Sequence, residues 1–134
     1  MRLQILGIDH VVLRVYDMAR MRAFYCDVLG CVLEREQPEL DLVQLRAGDA
    51  LIDLVDVAGK IGRQGGRAPQ ADGRNMDHFC LRVASFEATQ IRSHLESAGV
   101  EVGDLATRYG AEGAGPSLYI RDPEGNTVEL KGSV

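Results

Sequence analysis

At 134 residues, 46% hydrophobic and 26% charged, the chain has the composition of a globular protein built as one compact domain or two small modules sharing a core. A net charge of −5 argues against nucleic-acid or anionic-membrane partners, which need a basic face, and no apolar run approaches the roughly 20 residues of a membrane span. The apolar part of MRLQILGIDH is too short for a secretory signal, and Cys26, Cys31 and Cys80 lack metal-site spacing, so the expectation is a cytoplasmic chain with reduced thiols.

The first element, IDHVVLRV (8–15), alternates with the period of a strand. Asp17 then caps a helix whose apolar residues Met18, Met21, Phe24, Tyr25, Val28 and Leu29 recur at helical spacing, with Gly30 as its stop. CVLEREQP (31–38) reads as a strand ended by Pro38. LDLVQLRA (40–47) and ALIDLVDV (50–57) flank a Gly48-Asp49 turn. The stretch 59–75 is rich in glycine, has no hydrophobic periodicity, and carries Lys60, Arg63, Arg67 and Arg74. It reads as a tether between modules or as a basic flap over an anionic ligand.

A second copy follows. MDHFCLRV (76–83) repeats the Asp-His-x-x-Leu-Arg-Val of the first strand; Ser85 is the expected cap of a helix carrying Ala88, Ile91, Leu95 and Ala98, with Gly99 as its stop. VEVGDLA (100–106) reads as a strand, TRYGAEGAG (107–115) as a loop holding the extra length of this copy, and PSLYIRD and TVELKG as the closing strands. The chain is thus divided into a first βαβββ module at 5–57, a linker at 58–75 and a second module at 76–134, an α+β fold of two tandem βαβββ units.

The repeat places one histidine on each first strand, His10 and His78, and one carboxylate on each last strand, Asp53 and Glu129. Two imidazoles with one or two carboxylates suit a divalent metal such as Zn, Ni, Fe(II), Mn or Co. Alternation sets Arg14 on the face of His10, and Cys80 and Arg82 on the face of His78, where they would meet a small-molecule substrate. His94 lies mid-helix outside the repeat and reads as solvent-exposed.

IDHVVLRV with the following AFYCDVLG, then MDHFCLRV and SLYIRDPEGNTVEL, resemble the vicinal oxygen chelate superfamily of glyoxalase I, fosfomycin-resistance thiol transferases, extradiol dioxygenases and bleomycin-resistance proteins. The likeness covers nearly the whole chain, and the Asp122-Pro123-x-Gly125-Asn126-x-x-Glu129 turn and strand is its most specific piece. It implies paired modules whose curved mixed sheets enclose a metal cup, with His10, His78 and Glu129 as ligands. The first-module acid is the departure: Asp53 stands where glyoxalase-like members carry glutamate, and its side chain is shorter by roughly 1.5 Å. It ligates directly, ligates through water, or stands off as a base.

The resemblance further implies a lyase or isomerase of the glyoxalase type, with Glu129 and Asp53 as candidate bases and Tyr119 as a site residue. Tyr109 stands near the place of an additional dioxygenase histidine. A fosfomycin-type transferase, an extradiol-type dioxygenase and a non-catalytic binder are the alternatives. It implies, finally, a homodimer whose sites are shared between chains.

Overall fold

The computed structural model describes residues 1–133, so Val134, the expected end of the second module, lies outside the described residues. The chain divides into two compact units, Met1–Pro69 and Gln70–Val134. Each contains a four-stranded mixed sheet with its helix, which is the α+β, tandem βαβββ architecture expected from the repeat.

In the first unit, β1 (His10–Val15), α1 (Met18–Ala23), β2 (Val32–Gln37), β3 (Leu42–Ala47) and β4 (Ala50–Asp56) give the sheet order β1-β4-β3-β2. β1 and β4 are parallel, which the intervening elements allow; the other pairs are antiparallel. Asp17 caps α1, its carboxylate accepting from the Arg20 amide at 3.1 Å. The helix widens into a π-turn over Phe24–Val28, and Gly30, at φ +90°, ends it. Gly48, at φ +61°, opens the two-residue turn between β3 and β4.

One face of this sheet carries the core. Leu13, Val15, Val43, Leu45, Ile52 and Leu54 are buried together with Met21, Phe24 and Tyr25 of the helical segment. Each such side chain contributes about 1.5–3 kcal/mol on burial. β4 is central and is covered on both faces, so Asp53 and Val55, which point the other way, are buried as well.

The second unit repeats the plan with β5 (Phe79–Val83), α2 (Ala88–Ser97), β6 (Ala106–Gly110), β7 (Gly113–Arg121) and β8 (Thr127–Gly132), in the order β5-β8-β7-β6. Leu95, Leu118, Ile120, Val128 and Leu130 are its buried apolar residues. Two local expectations change. The cap of α2 is Glu87, whose carboxylate accepts from the Thr89 and Gln90 amides at 3.2 and 3.0 Å; Ser85 instead turns the chain at φ +50°. The strand expected at 100–106 begins only at Ala106, and 100–105 contributes a single bridge, Val102 to Ile120. The supposed loop 107–115 is mostly a β6–β7 hairpin, Gly110 pairing with Gly113.

The glycine-rich stretch is not a bare tether. Residues Gly62–Gly65 form a short 3₁₀ turn in the first unit. The Arg14 guanidinium donates to the carbonyls of Gly62, Gly65, Gly66 and Arg67 at 2.8, 3.4, 2.6 and 3.0 Å. A Cβ at Gly65 would stand 2.7 Å from Arg14 Cζ, and one at Gly62 only 1.8 Å from the Asp56 carbonyl, so both turns need glycine. Among the described residues, no helix is long and apolar enough to cross a membrane.

Candidate functional site

Each unit sets its histidine and its acid on one face by the same register. In the first, Val12 pairs with Asp53 and Asp53 with Gln44; in the second, Cys80 pairs with Glu129 and Glu129 with Tyr119. The histidine stands two residues before Val12 or Cys80, hence on the same face as the acid beside it.

The acids are among the few buried polar groups, Asp53 at 4% exposure and Glu129 at 5%. Glu129 is well attended. His78 Nε2 lies 3.3 Å from its Oε1, the Tyr119 phenol is hydrogen-bonded to it, and the Cys80 thiol stands beside it. Burial, reinforced by that carboxylate, raises the Tyr119 pKa, so the phenol stays neutral and donates. Asp53 has one donor, Gln44 Nε2 at 3.1 Å from Oδ2, while its Oδ1 is buried without any hydrogen-bond partner. A buried carboxylate oxygen left open calls for a ligand, a proton or a cation.

Both imidazoles are held by the residue before them. Asp9 Oδ1 lies 2.7 Å from His10 Nδ1, and Asp77 Oδ2 lies 2.7 Å from His78 Nδ1. With Nδ1 donating to a carboxylate, Nε2 is the nitrogen left for a metal, the arrangement of a carboxylate-backed histidine ligand. The hydrogen bond to Asp9 raises the His10 pKa above 6.5; Asp53 adds a smaller push, and desolvation opposes both.

The donors therefore fit a divalent metal chemically: a neutral imidazole nitrogen and a carboxylate in each unit, one carboxylate oxygen open. Among the described residues, no group of three or more His, Cys, Asp or Glu forms a ready-made cluster. Each unit by itself offers a pair.

The remaining expected residues divide. Tyr119 stacks edge-on against His78, ring centroids 5.2 Å apart, and lies in the site. Cys80 shares the Glu129 face, its thiol pushed up to about 11 chiefly by desolvation and secondly by the Glu129 charge. Arg82 is exposed and paired with Glu112 at 3.4 Å. Arg14 is not available to a substrate, because four backbone carbonyls take its guanidinium. Tyr109 is 87% exposed and points to the opposite face, since its neighbour Arg108 is the one that faces Tyr119. Arg108 lies 4.4 Å over the Tyr119 ring and donates to the Ser117 carbonyl and hydroxyl at 2.9 and 2.8 Å.

Asp9, Asp77, Gln44 and Arg108 did not stand out in the sequence. The two aspartates were visible as the shared Asp-His, and Gln44 as the polar residue at an inward position of β3. Arg108 was hidden in a run read as loop. The Asp122 turn, by contrast, does what its specificity suggested. The buried Asp122 carboxylate accepts from the Glu124 and Asn126 amides and from Asn126 Nδ2, Gly125 turns at φ +85°, and β8 is launched with Glu129 in place.

Two four-stranded sheets of this order, each with a histidine beside its first strand and a buried acid on its last, define a tandem βαβββ fold. The chain belongs to the Glyoxalase/Bleomycin resistance protein/Dioxygenase superfamily, whose family model matches residues 7–130. Among solved structures it is similar to an integron cassette protein from the mobile metagenome of V. cholerae, at 26% identity over 100% of both chains with a TM-score of 0.76. It is similar to a virulence protein from Salmonella typhimurium, at 28% identity over 98% of this chain and 100% of the other, TM-score 0.75. A lactoylglutathione lyase from Agrobacterium tumefaciens matches at 25% identity over 96% of this chain and 94% of the other, TM-score 0.67.

Proposed function

We propose that the chain is a metal-dependent lyase or isomerase of the glyoxalase type, acting on a small molecule with a proton α to a carbonyl. The observation that carries this reading is the pair of register-equivalent His–carboxylate sets, with buried acids and one open carboxylate oxygen on Asp53. Family membership and the likeness to a lactoylglutathione lyase support it.

His10, His78 and Glu129 would hold the metal. The bound ion supplies stabilisation of negative charge on substrate oxygens. In an α-hydroxy carbonyl, Asp53 takes the proton from the hydroxyl-bearing carbon through Oδ1; the C–H pair becomes a carbon–carbon double bond and the carbonyl π pair moves onto its oxygen. The same carboxyl returns the proton to the former carbonyl carbon while the hydroxyl proton passes to the former carbonyl oxygen, so the first carbon becomes the carbonyl and atoms and electrons balance. Gln44 fixes Oδ2 so that Oδ1 faces the work. Tyr119, a neutral donor on Glu129, keeps that carboxylate oriented. The donors come two from each kind of module, and we assign the complete set to a homodimer with shared sites.

A thiol transferase of the fosfomycin type is the second reading, favoured by Arg108, Arg82 and Lys131 on the Glu129 face of the second unit. One experiment separates the two. Protein purified without chelators is analysed for metal and then incubated with α-hydroxy carbonyl and 2-oxoaldehyde–thiol adducts in D₂O. Deuterium gain at the α carbon, lost in Asp53→Asn with metal retained, supports the lyase or isomerase. Stoichiometric metal with no exchange in any substrate overturns it.

A further inference from the structure

The cross-strand row that follows Cys80–Glu129–Tyr119 is Arg82–Lys131–Ser117, so Lys131 stands on the face of Glu129, one row further along the sheet. Lys131 is only 6% exposed, and among the described residues no hydrogen bond or ion pair reaches its ammonium. The neighbouring polar groups are engaged elsewhere: Glu112 pairs with Arg82 and accepts from Ser133, and Arg108 is fixed on Ser117 and Tyr119. The stem is packed against the sheet while the ammonium at its tip keeps its access to water, so the charge is held in a fixed place on this face with no protein group opposite it.

The sheet is shaped to admit this side chain. A Cβ at Gly110 would stand 3.1 Å from Lys131 Cδ and Cε, and one at Gly115 would stand 3.1 Å from Nζ. Two glycines on adjacent strands thus form a channel in which the stem lies flat and delivers the ammonium alongside Gly115.

We propose that Lys131 anchors an anion subsite, taking a carboxylate or phosphate-type group at the far end of the substrate whose other end lies at the site of Glu129. The assignment of the reacting end rests on the functional reading above; the anion subsite itself does not. Gly115 lies four residues from Tyr119 on one strand, so the two ends stand on the order of 10 Å apart. A two- or three-carbon acid cannot span both places. The substrate class is a longer acid, reactive at one end and anionic at the other.

The test uses the fact that Lys60 and Lys131 are the chain's two lysines. Metal-free protein made with ¹³C-labelled lysine is followed by NMR while hexanoate, inorganic phosphate or, at matched ionic strength, chloride is added. Saturable movement of the Lys131 side-chain signals with hexanoate assigns a carboxylate, with phosphate a phosphate-type group, and Lys60 stays unmoved in both. In Lys131→Met the anion affinity read from the Gly110 and Gly115 amides weakens about tenfold or more, the loss expected of one charge-assisted hydrogen bond; Lys131→Gln reads the same loss should the Met variant not fold, and Lys131→Arg retains binding. Absence of saturation with either anion, or equal movement at Lys60, overturns the proposal. Neither readout involves metal or turnover, so a failed subsite and a failed enzyme assignment are told apart.

Discussion

Gln44 and Tyr119 occupy the same place in the two sheets. Each stands directly across from the buried acid of its module, and each is hydrogen-bonded to it, Gln44 to Asp53 and Tyr119 to Glu129. The pair is equivalent in position and different in chemistry, an amide in one half and a phenol in the other.

Removing Gln44 leaves a buried carboxylate with no donor, which costs about 1–3 kcal/mol, whereas Glu129 keeps His78 and Cys80 beside it when the Tyr119 hydroxyl is removed. Gln44→Ala is therefore expected to destabilise the protein by that amount in urea unfolding, since Asp53 then has no donor at all. Tyr119→Phe keeps the ring against His78 and is expected to lower turnover or metal retention more than stability. Equal stability in Gln44→Ala and wild type would remove Gln44 from the role given to it.

The Asp9–His10 pair predicts a pH dependence. A histidine pKa raised in the folded state stabilises the protein below the unfolded value of 6.5, and the contribution disappears as pH rises through the folded value. Metal competes with the same proton, so binding at His10 strengthens as pH rises past that point. Asp9→Asn should move the His10 midpoint down toward 6.5, read from the imidazole proton shifts of metal-free protein. A midpoint that does not move would assign the shift to another neighbour.

Arg14 is expected to be a stability residue. Arg14→Ala should cost at least roughly 1.5–3 kcal/mol, the scale for hydrogen bonds from a charged donor, and should open the amides of 62–67 to hydrogen exchange. Arg14→Lys should recover little, because an ammonium cannot serve four spread carbonyls as a planar fork does. Normal protection of this stretch in both variants would contradict the role.

Thiol chemistry gives a fourth expectation. Burial pushes Cys31 and Cys80 up to about 11, and for Cys80 Glu129 adds to the effect. Both thiols are neutral at pH 7, so iodoacetamide should label them slowly, with rates rising about tenfold per pH unit toward that value. Rapid labelling of Cys80 at neutral pH, mapped by peptide mass, would show a thiolate that the Glu129 side of the sheet does not favour.

Much of this was legible in the chain. Period-2 alternation marked β1, β3, β4 and β8, and the duplicated Asp-His located both histidines and, through register, both acids. Asp122 and its turn were also readable, because turn chemistry is local. What escaped the sequence depends on which residues meet across strands. Arg14 looked like a ligand-facing cation until the carbonyls of 62–67 were seen around it. Gly110 and Gly115 looked like loop residues; they are strand glycines beneath the Lys131 stem, and that misreading displaced β6 and exchanged Arg108 for Tyr109.

The parallel pairing of β1 with β4, and of β5 with β8, also governs when a His–carboxylate pair can exist. Histidine and acid come from the first and last strands of a module, the most distant partners in its sequence, so their meeting closes nearly the whole module. Such closures carry the largest loop entropy and come late in folding. During synthesis the first unit's pair can be complete while the second unit still lacks Glu129, and a chain interrupted before β8 would hold one finished pair and a histidine with no acid beside it.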